Sequence, residues 1–338
     1  MELKLQEKSD SVRNRIILAL IALAGGVLSA FLAQLGVLLM PLVAAPLAVI
    51  FVMEFGKKRV FTFVTPIMLL ALDAVFNGWY SFSVLCGIIV AVFMAVSVKT
   101  DILAKGECVM ASVISVSAVF AFSILMLGCY LTGELDFAAA IEYYRDAVVA
   151  GEADWQSAVE EYILAASDPE LAAALTPETV SAIYNSYVNA VYSLAAITVF
   201  AMVGLSCKLF GAMLGRRLDD KQCIHLWRFT LTPMYAYFYL AIYAVQLFVT
   251  DSSTFAIVIT NLLNVFMIVF AYIGLLFVDA FFKMRSGGKG ISKILIVIVV
   301  LFLSSLAVNI LSFVGVFATV MLDKAKKNGF GDDSNPEA

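Results

Sequence analysis

The chain has 338 residues, of which 62% are hydrophobic and only 14% are charged, and its net charge at pH 7 is −4. Soluble domains typically contain about 45–50% apolar and about 25% charged residues, so the composition excludes an ordinary water-soluble globule. It equally excludes a disordered chain, because such chains are poor in apolar residues. Much of the protein surface must therefore face lipid.

Nine apolar stretches are long enough to cross a membrane, since a spanning helix needs about 20 apolar residues. They are, in chain order, 16–34, 37–55, 60–76, 81–98, 108–131, 187–211, 231–249, 255–282 and 291–322. The last stretch suits either one long tilted helix or a hairpin of two shorter ones that turns near Ser304 and Ser305 or near Asn309. We therefore predict an all-α fold, a polytopic transmembrane helical bundle of nine or ten membrane segments.

Short clusters of lysine and arginine separate several of these stretches and predict the orientation of the chain. With the N-terminus in the cytoplasm, the basic segments 56–59, 99–105, 216–221 and 283–293 all lie on the cytoplasmic side. This orientation agrees with the positive-inside rule. A final hairpin returns Lys324 and its neighbours to the same side, which favours ten segments over nine and a cytoplasmic C-terminus.

The chain divides into four parts on this basis. They are an N-terminal five-span membrane block (1–131), an acidic extracytoplasmic helical insert (132–185), a C-terminal membrane block of four to five spans (186–322) and a polar cytoplasmic tail (323–338). The insert contains eleven acidic residues and one base, Arg145. It is either a solvated loop with helical pieces or a lid or partner-docking cap over an outward vestibule.

Three helix starts are predicted in the insert. Asp154 is expected to cap a helix whose apolar face consists of Trp155, Val159, Tyr162 and Ile163. Asp168-Pro169 and Thr176-Pro177 have the pattern of a capping residue followed by proline at the first helical position. The helix that starts after Thr176 is expected to continue without a break into the sixth span.

Signals of catalysis are mostly absent from the sequence. The single histidine, His225, cannot supply a histidine-rich metal site, and the five cysteines form no CxxC pair. No phosphate-binding loop, serine-hydrolase elbow or basic nucleic-acid-binding face is present. Asp73 and Asp279 are expected at opposite membrane faces, whereas an aspartyl protease needs two carboxylates at one depth. We predict no enzyme, no cofactor, no metal and no nucleic-acid partner, with a membrane-embedded enzyme as the least favoured alternative.

Acidic residues inside membrane spans are costly, and they are candidates for function. Asp73, followed by Asn77, is expected near the outer end of the third span. It is either an interfacial acid or, with Asn77, a ligand for a cation, proton or amine in an outward cavity. Asp279 is expected to pair with Lys283 one helical turn later. Glu54 is interpreted as an interfacial partner of the lysines that follow it.

Polar side chains in the C-terminal block are the other candidates for substrate binding. Asn261 and Asn264 lie three residues apart and share one helical face. They either join neighbouring helices or line a substrate cavity. Tyr235, Tyr239 and Tyr243 form one stripe, which either packs against other helices or stacks on a ligand. From these sets we select Tyr239, Asn261 and Asn264, beside Asp73 and Asn77, as candidate substrate-binding residues.

The first span has small residues at a spacing of four, namely Ala22, Gly26 and Ala30. Such a face allows two helices to approach closely. It either packs inside the chain or docks a partner membrane subunit. The two alternatives differ in whether these residues are buried by the chain itself.

The order of features resembles that of a known family. A block of five short spans and an interruption are followed by Asn261-Leu262-Leu263, which opens a long apolar helix that ends at Lys283-Met284-Arg285. A final hydrophobic pair ends in Gly315-Val316-Phe317 and Leu322-Asp323-Lys324. In this the chain resembles the YybS-like family of bacterial integral membrane proteins, a family without an established activity. The acidic insert looks larger than is usual in that family.

The N-terminal part is also similar to the substrate-binding membrane subunits of energy-coupling-factor vitamin importers, which are shorter than this chain. The resemblance implies a transporter-like bundle in a bacterial plasma membrane, with Ala22, Gly26 and Ala30 docking a coupling subunit. We expect a small-molecule-binding or permease component that a separate ATPase complex energises. The expected partners are the lipid bilayer, a membrane coupling subunit and a small-molecule substrate. The alternative is a non-transporting scaffold or regulator that acts through the acidic insert and cytoplasmic loops.

Overall fold

The computed structural model of the protein describes residues 12–32, 36–55, 60–78, 82–100, 105–166, 169–214, 231–249, 254–285 and 305–327. These residues are 94% helical and contain no strand, which confirms the all-α prediction. The helices are α1 Val12–Phe31, α2 Gly36–Glu54, α3 Val60–Asn77, α4 Ser83–Lys99, α5 Lys105–Thr132, α6 Phe137–Ala166, α7 Pro169–Ala174, α8 Pro177–Leu214, α9 Pro233–Phe248, α10 Thr254–Arg285 and α11 Ser305–Lys327.

Seven of these helices are long and apolar enough to cross a membrane, namely α1, α2, α3, α5, α8, α10 and α11. Helix α4 is a shorter apolar helix. The prediction of a polytopic membrane bundle is confirmed on this basis. Helix α11 begins at Ser305, which is one of the two predicted turn positions. The first half of the last apolar stretch lies outside the described residues.

Helix α2 forms the centre of the N-terminal block. It is apolar on all sides, so it is stable only when other helices surround it. Every residue from Val43 to Glu54 is buried, and α2 packs on α1, α3, α4 and α8. The surrounding helices also have outward faces; on α3, Phe63, Ile67 and Val75 are exposed in the manner of lipid-facing residues.

Helices α9, α10 and α11 form a second group, and α8 lies between the two groups because it packs on both α2 and α10. The α10–α11 contact is very close at Gly274 and Gly315. A β-carbon at Gly274 would meet the backbone carbonyl oxygen of Leu311, and one at Gly315 would meet that of Phe270. Glycine is required at both positions because the two backbones touch.

The acidic insert is helical, as predicted, but its first helix starts earlier than expected. The chain turns after α5 at Gly133, whose φ of +76° lies in the left-handed region that glycine adopts without strain. Helix α6 then begins at Phe137, and the Asp136 carboxylate accepts the backbone N–H of Ala138 at 2.8 Å as its N-terminal cap. The prediction of a helix start at Asp154 is therefore wrong, because Asp154 lies inside the 30-residue helix α6.

The predicted apolar face of this helix is only partly covered. Val159 and Ile163 are half-buried, whereas Trp155 and Tyr162 are exposed. Helix α6 continues through Gly151, where an added β-carbon would meet the Tyr184 hydroxyl of α8.

Helix α8 begins at Pro177, which confirms the predicted start after Thr176. Helix α7 begins at Pro169, and its predicted cap, Asp168, lies outside the described residues. The Thr176 hydroxyl oxygen accepts the backbone N–H of Thr179 at 3.3 Å and so caps α8. Helix α8 runs for 38 residues without a break from the insert into the membrane block, as expected. Tyr184 donates a hydrogen bond to the Val148 carbonyl oxygen at 3.0 Å, which holds α6 against α8.

Candidate functional site

Two buried carboxylates lie in the N-terminal block, Glu54 with 1% and Asp73 with 2% of its surface exposed. Removing a charged carboxylate from water costs several kcal/mol unless hydrogen bonds or an opposite charge compensate. In both cases the compensation comes from the N-terminus of the next helix, whose first backbone N–H groups have no partner within the helix. The two acids thus occupy equivalent places at successive helix connections.

Glu54 is the last residue of α2 and caps α3. Its Oε2 atom accepts the backbone N–H of Thr62 at 2.8 Å and the Thr62 hydroxyl at 2.9 Å. Among the described residues, its Oε1 atom has only longer contacts, with the backbone N–H of Phe61 at 3.4 Å and a guanidinium nitrogen of Arg15 at 3.8 Å. The Nε atom of Arg15 is buried and has no hydrogen-bond partner among the described residues. One oxygen of the carboxylate is therefore saturated and the other is not.

A cavity of about 370 Å³ lies beside this carboxylate, between α2, α3 and α4. Its volume is at the lower end of the range for small-molecule sites, about 300–1,000 Å³. Eight of its ten lining residues are apolar, and the two polar ones are Glu54 and Thr62. Pro66 also lines the cavity. Because proline has no N–H, the Thr62 carbonyl lacks its normal helical partner. The cavity thus combines an apolar wall with hydrogen-bond acceptors at one place.

The structure brings together the predicted pair Asp73 and Asn77. The Asn77 side-chain amide donates to Asp73 Oδ1 at 2.8 Å, and the backbone N–H of Val84 donates to Oδ2 at 3.4 Å. Asp73 therefore caps α4 as Glu54 caps α3. These contacts favour the structural alternative for Asp73, and its role as a substrate ligand stays a prediction.

Tyr239 lies in the second group of helices and is fully buried. The Ser312 hydroxyl donates to the Asn309 carbonyl oxygen at 2.7 Å, so the Tyr239 hydroxyl is the donor in its 2.9 Å bond to Ser312. The ring of Tyr239 packs 5.2 Å from that of Phe270. These contacts favour packing between α9, α10 and α11 over ligand stacking.

Asn261 and Asn264 are half-buried on α10. Another amide nearby joins two helices, since Gln246 on α9 accepts the Thr260 hydroxyl of α10 at 3.2 Å. Among the described residues, α3 packs mainly on α1, α2 and α4, whereas α10 packs on α5, α8, α9 and α11. The candidate residues of α3 and those of α9 and α10 therefore lie in different groups of helices.

The small-residue stripe of α1 is covered by the chain itself. Ala22 and Ala30 are buried, and a β-carbon at Gly26 would meet the end of the Leu69 side chain of α3. A partner subunit reaches this stripe only if α3 moves away, so the structure favours the alternative of internal packing. The predicted i, i+4 pair is confirmed, with Lys283 Nζ 2.6 Å from Asp279 Oδ2.

Sequence reasoning missed Glu54 as a member of the site. Its predicted lysine partners lie outside the described residues, and its observed partners are Thr62, Phe61 and Arg15. The available signal was an acid that ends one apolar stretch, followed shortly by a threonine and then a proline one turn later. That pattern predicts a capped helix with a weakened first turn.

Comparison of the chain with protein-family models, with curated proteins and with solved structures found no match. The class that the structure defines is an all-α, multi-pass membrane protein with apolar helices in contact with lipid. Within the described residues it has a cavity between α2, α3 and α4 that contains one buried carboxylate.

Proposed function

We propose that the chain is a transporter-like membrane protein that binds a small molecule in the cavity between α2, α3 and α4. It acts as a binding or permease component, and a separate ATPase complex bound through a membrane coupling subunit is its energy source. The observation that carries the proposal is the buried, incompletely paired Glu54 carboxylate in the wall of an otherwise apolar cavity. A site of this kind is the usual arrangement for a small ligand.

Prolines in the helices around the cavity support a binding role. Helix α2 contains Pro41 and Pro46, and α3 contains Pro66. Interrupted helices at membrane depth are tolerated where they line a cavity, because the freed carbonyl groups find partners there. In secondary transporters such helices form the substrate site.

We place the protein in a bacterial plasma membrane, with the N- and C-termini in the cytoplasm. The cavity then lies near the cytoplasmic face, since it involves the end of α2 and the start of α3. Membership of the YybS-like family and the absence of enzymatic activity remain predictions of the same proposal. The orientation is tested with cysteines engineered into segment 56–59 and into α6. A membrane-impermeant thiol reagent applied to intact cells is expected to label only the cysteine in α6.

Ligand binding is tested with a variant that fills the cavity from its rim. Val92 lines the cavity and is 43% exposed, so Val92→Phe adds volume without disturbing the core. Val75→Phe is the matched control, because Val75 is 79% exposed on the outer face of α3 and is not part of the cavity lining. Both variants and the wild-type protein are reconstituted in nanodiscs and screened against a panel of vitamins and other small metabolites by thermal shift.

We expect at least one compound to raise the melting temperature of the wild-type protein and of Val75→Phe but not of Val92→Phe. A protein that responds to no compound in the panel, or that responds equally in both variants, contradicts the proposal. Cellular uptake of the same compound, measured with the two variants, then separates a transport component from a simple binding protein.

A second candidate function is that of a scaffold or regulator that acts through the insert. It is favoured by large apolar side chains that stay exposed on α6 among its acids, namely Trp155, Tyr162 and Leu164. Crosslinking in membranes distinguishes the two functions. Capture of an ATPase-linked membrane subunit supports the transporter, whereas capture of only envelope or signalling proteins through α6 supports the scaffold.

A further inference from the structure

We infer that the ligand of the cavity between α2, α3 and α4 is a net-uncharged, largely apolar molecule with a hydrogen-bond donor, such as a hydroxyl or an N–H group. This inference rests on the proposed function and specifies its substrate class. It follows from the hydrogen-bond donors and acceptors in the cavity wall, from the charged groups beside the cavity and from the apolar surface of the wall.

The apolar part of the ligand follows from the cavity wall. Side chains such as Phe51, Phe63, Ile88 and Val92 make up most of the cavity wall. Burying hydrocarbon against them is favourable in proportion to the area removed from water. A strongly polar molecule such as a sugar would leave most of its hydroxyl groups without partners there, at a cost for each group.

The donor on the ligand follows from the polar groups that are already occupied. The backbone N–H and the hydroxyl proton of Thr62 are both directed to Glu54 Oε2, so neither is available to a ligand. Among the described residues that line the cavity, the remaining polar groups are acceptors, namely Glu54 Oε1, whose nearest contacts are 3.4 and 3.8 Å long, and the Thr62 carbonyl, which Pro66 cannot reach with an N–H. A ligand that only accepts hydrogen bonds finds no partner among these groups, whereas a donor does.

The absence of net charge follows from the compensation of Glu54. Its negative charge is offset by Arg15 at 3.8 Å and by the positive end of the α3 dipole, towards which the carboxylate lies. A cationic ligand therefore loses its hydration in an apolar cavity, and it gains no free negative charge there because the charge of Glu54 is already offset. An anionic ligand loses its hydration in the same way, and the free groups of the described lining residues are acceptors, which cannot bind it.

The inference is tested with two series of compounds, each built on one apolar skeleton. The first comprises indole, 1-methylindole, tryptamine and indole-3-acetate; the second comprises 1-octanol, octyl methyl ether, octylammonium and octanoate. Binding to nanodiscs is measured by equilibrium dialysis, and the difference between wild-type protein and Val92→Phe gives the amount bound in the cavity. This difference removes the share that dissolves in the lipid.

In at least one series, we expect the neutral donor to bind about tenfold or more tightly than its methylated analogue, because a hydrogen bond to a carboxylate is lost. Both charged analogues are expected to bind more weakly than the neutral donor. Glu54→Gln is expected to weaken the preference: its amide oxygen stays with Thr62, an NH₂ donor takes the place of Oε1, and only the Thr62 carbonyl still accepts from the ligand. The neutral donor then loses most of its advantage over the methylated compound.

Two results overturn the inference in different ways. If a charged or methylated analogue binds most tightly and Val92→Phe abolishes that binding, the cavity is a binding site and only the ligand class is wrong. If the binding of no compound in either series depends on Val92, the cavity holds nothing but bilayer lipid, and the proposed function fails together with the inference.

Discussion

The two groups of membrane helices are held together in opposite ways. In α1–α4, a carboxylate near the end of one helix caps the next, with Glu54 on α3 and Asp73 on α4, and a cavity of about 370 Å³ remains beside the first cap. In α9–α11 the backbones touch at Gly274 and Gly315, and a buried hydroxyl pair joins α9 to α11. The first group thus adds buried carboxylates to apolar packing that includes a close approach of Gly25 to the Leu42 backbone, whereas in the second group two glycines bring the backbones into direct contact.

This difference indicates where each group tolerates change. A cap fixes only the start of a helix and does not set the distance between helices further along. Space for a ligand can therefore remain between α2, α3 and α4. Backbone contact fixes the separation of two helices along their crossing and leaves no such room. We therefore expect function to depend on the first group and rigidity on the second.

The largest effect is expected from Glu54→Ala. It removes the cap of α3 and leaves the partly buried Arg15 without its counter-charge. Breaking one partner of a buried pair costs about 3–5 kcal/mol. We expect a loss of that order in the free energy of unfolding, measured by denaturant titration in mixed micelles.

Glu54→Gln is the control for this prediction, because glutamine keeps an oxygen for Thr62 and loses only the charge. It is expected to lose clearly less stability than Glu54→Ala. Equal losses in the two variants would show that charge compensation, and not capping, dominates at this position.

Gly274→Ala is expected to have the next largest effect. The added methyl group meets the Leu311 carbonyl oxygen, which is backbone and cannot rotate away, so α10 and α11 must separate. Overpacking of this kind costs about 1–3 kcal/mol. Unfolding under the same conditions measures the loss.

Two further glycines sharpen the comparison between the groups. A β-carbon at Gly211 has no neighbour within 4 Å, so Gly211→Ala is expected to cost nothing and to gain from helix propensity. At Gly26 the obstacle is the flexible end of Leu69, and Gly26→Ala is expected to cost less than Gly274→Ala. If Gly26→Ala proved the more damaging of the two, the contrast between a deformable and a rigid group would be wrong.

Asp73→Ala separates the structural and ligand roles of that residue. Loss of the α4 cap is expected to lower the free energy of unfolding by about 0.5–2 kcal/mol. Asp73→Asn is expected to keep most of that stability, because asparagine is also a good cap. If Asp73 instead bound a cation or an amine, Asp73→Asn would abolish ligand binding while the protein stayed stable, and thermal shift with the identified ligand distinguishes the two.

Tyr239→Phe is expected to have a smaller effect. It removes the hydrogen bond to Ser312 but keeps the ring against Phe270. Hydrogen bonds between membrane helices contribute about 0.6 kcal/mol on average. Tyr237→Phe is the matched control, since Tyr237 is 58% exposed, and it is expected to change nothing. Equal stability of both variants would show that the hydrogen bond between Tyr239 and Ser312 does not stabilise the second group.

The features that could be predicted from the sequence are local ones. Proline after the capping residue Thr176 indicates the start of α8, and the Asp279–Lys283 pair follows from helical spacing alone. Asp154 does not start a helix, because the alanine-rich segment before it continues α6. Composition alone was sufficient for the membrane bundle.

The candidate site could not be predicted because its parts come from distant segments. Arg15, Glu54 and Thr62 belong to three helices, and their meeting depends on how α1, α2 and α3 pack. The cavity lies between helices, and the periodicity of a sequence predicts the faces of a helix but not the gaps between helices. Asp73 drew attention as an isolated membrane acid, yet its partner Val84 is a backbone group that any residue could have supplied.

The smallest predicted effect depends on pH and concerns the contact between α5 and the insert. Burial raises the pKa of Tyr144 above its usual value of 10.0, and its hydroxyl donates to the Ile124 carbonyl oxygen at 2.7 Å. The neutral phenol is therefore favoured in the folded state, and its contribution is complete below pH 10 and is lost as the pH rises through the folded pKa. At pH 8 we expect Tyr144→Phe to melt slightly below the wild-type protein, since about 0.5 kcal/mol, the lower end of the usual range, is lost with this exposed hydrogen bond. Above the folded pKa this difference is expected to vanish, because the phenolate has no proton to donate and faces a carbonyl oxygen. Tyr162→Phe, an exposed tyrosine of the same helix, controls for the general effect of alkali. A difference that does not shrink as the pH is raised above 10 would show that the Tyr144 hydroxyl does not hold α6 against α5.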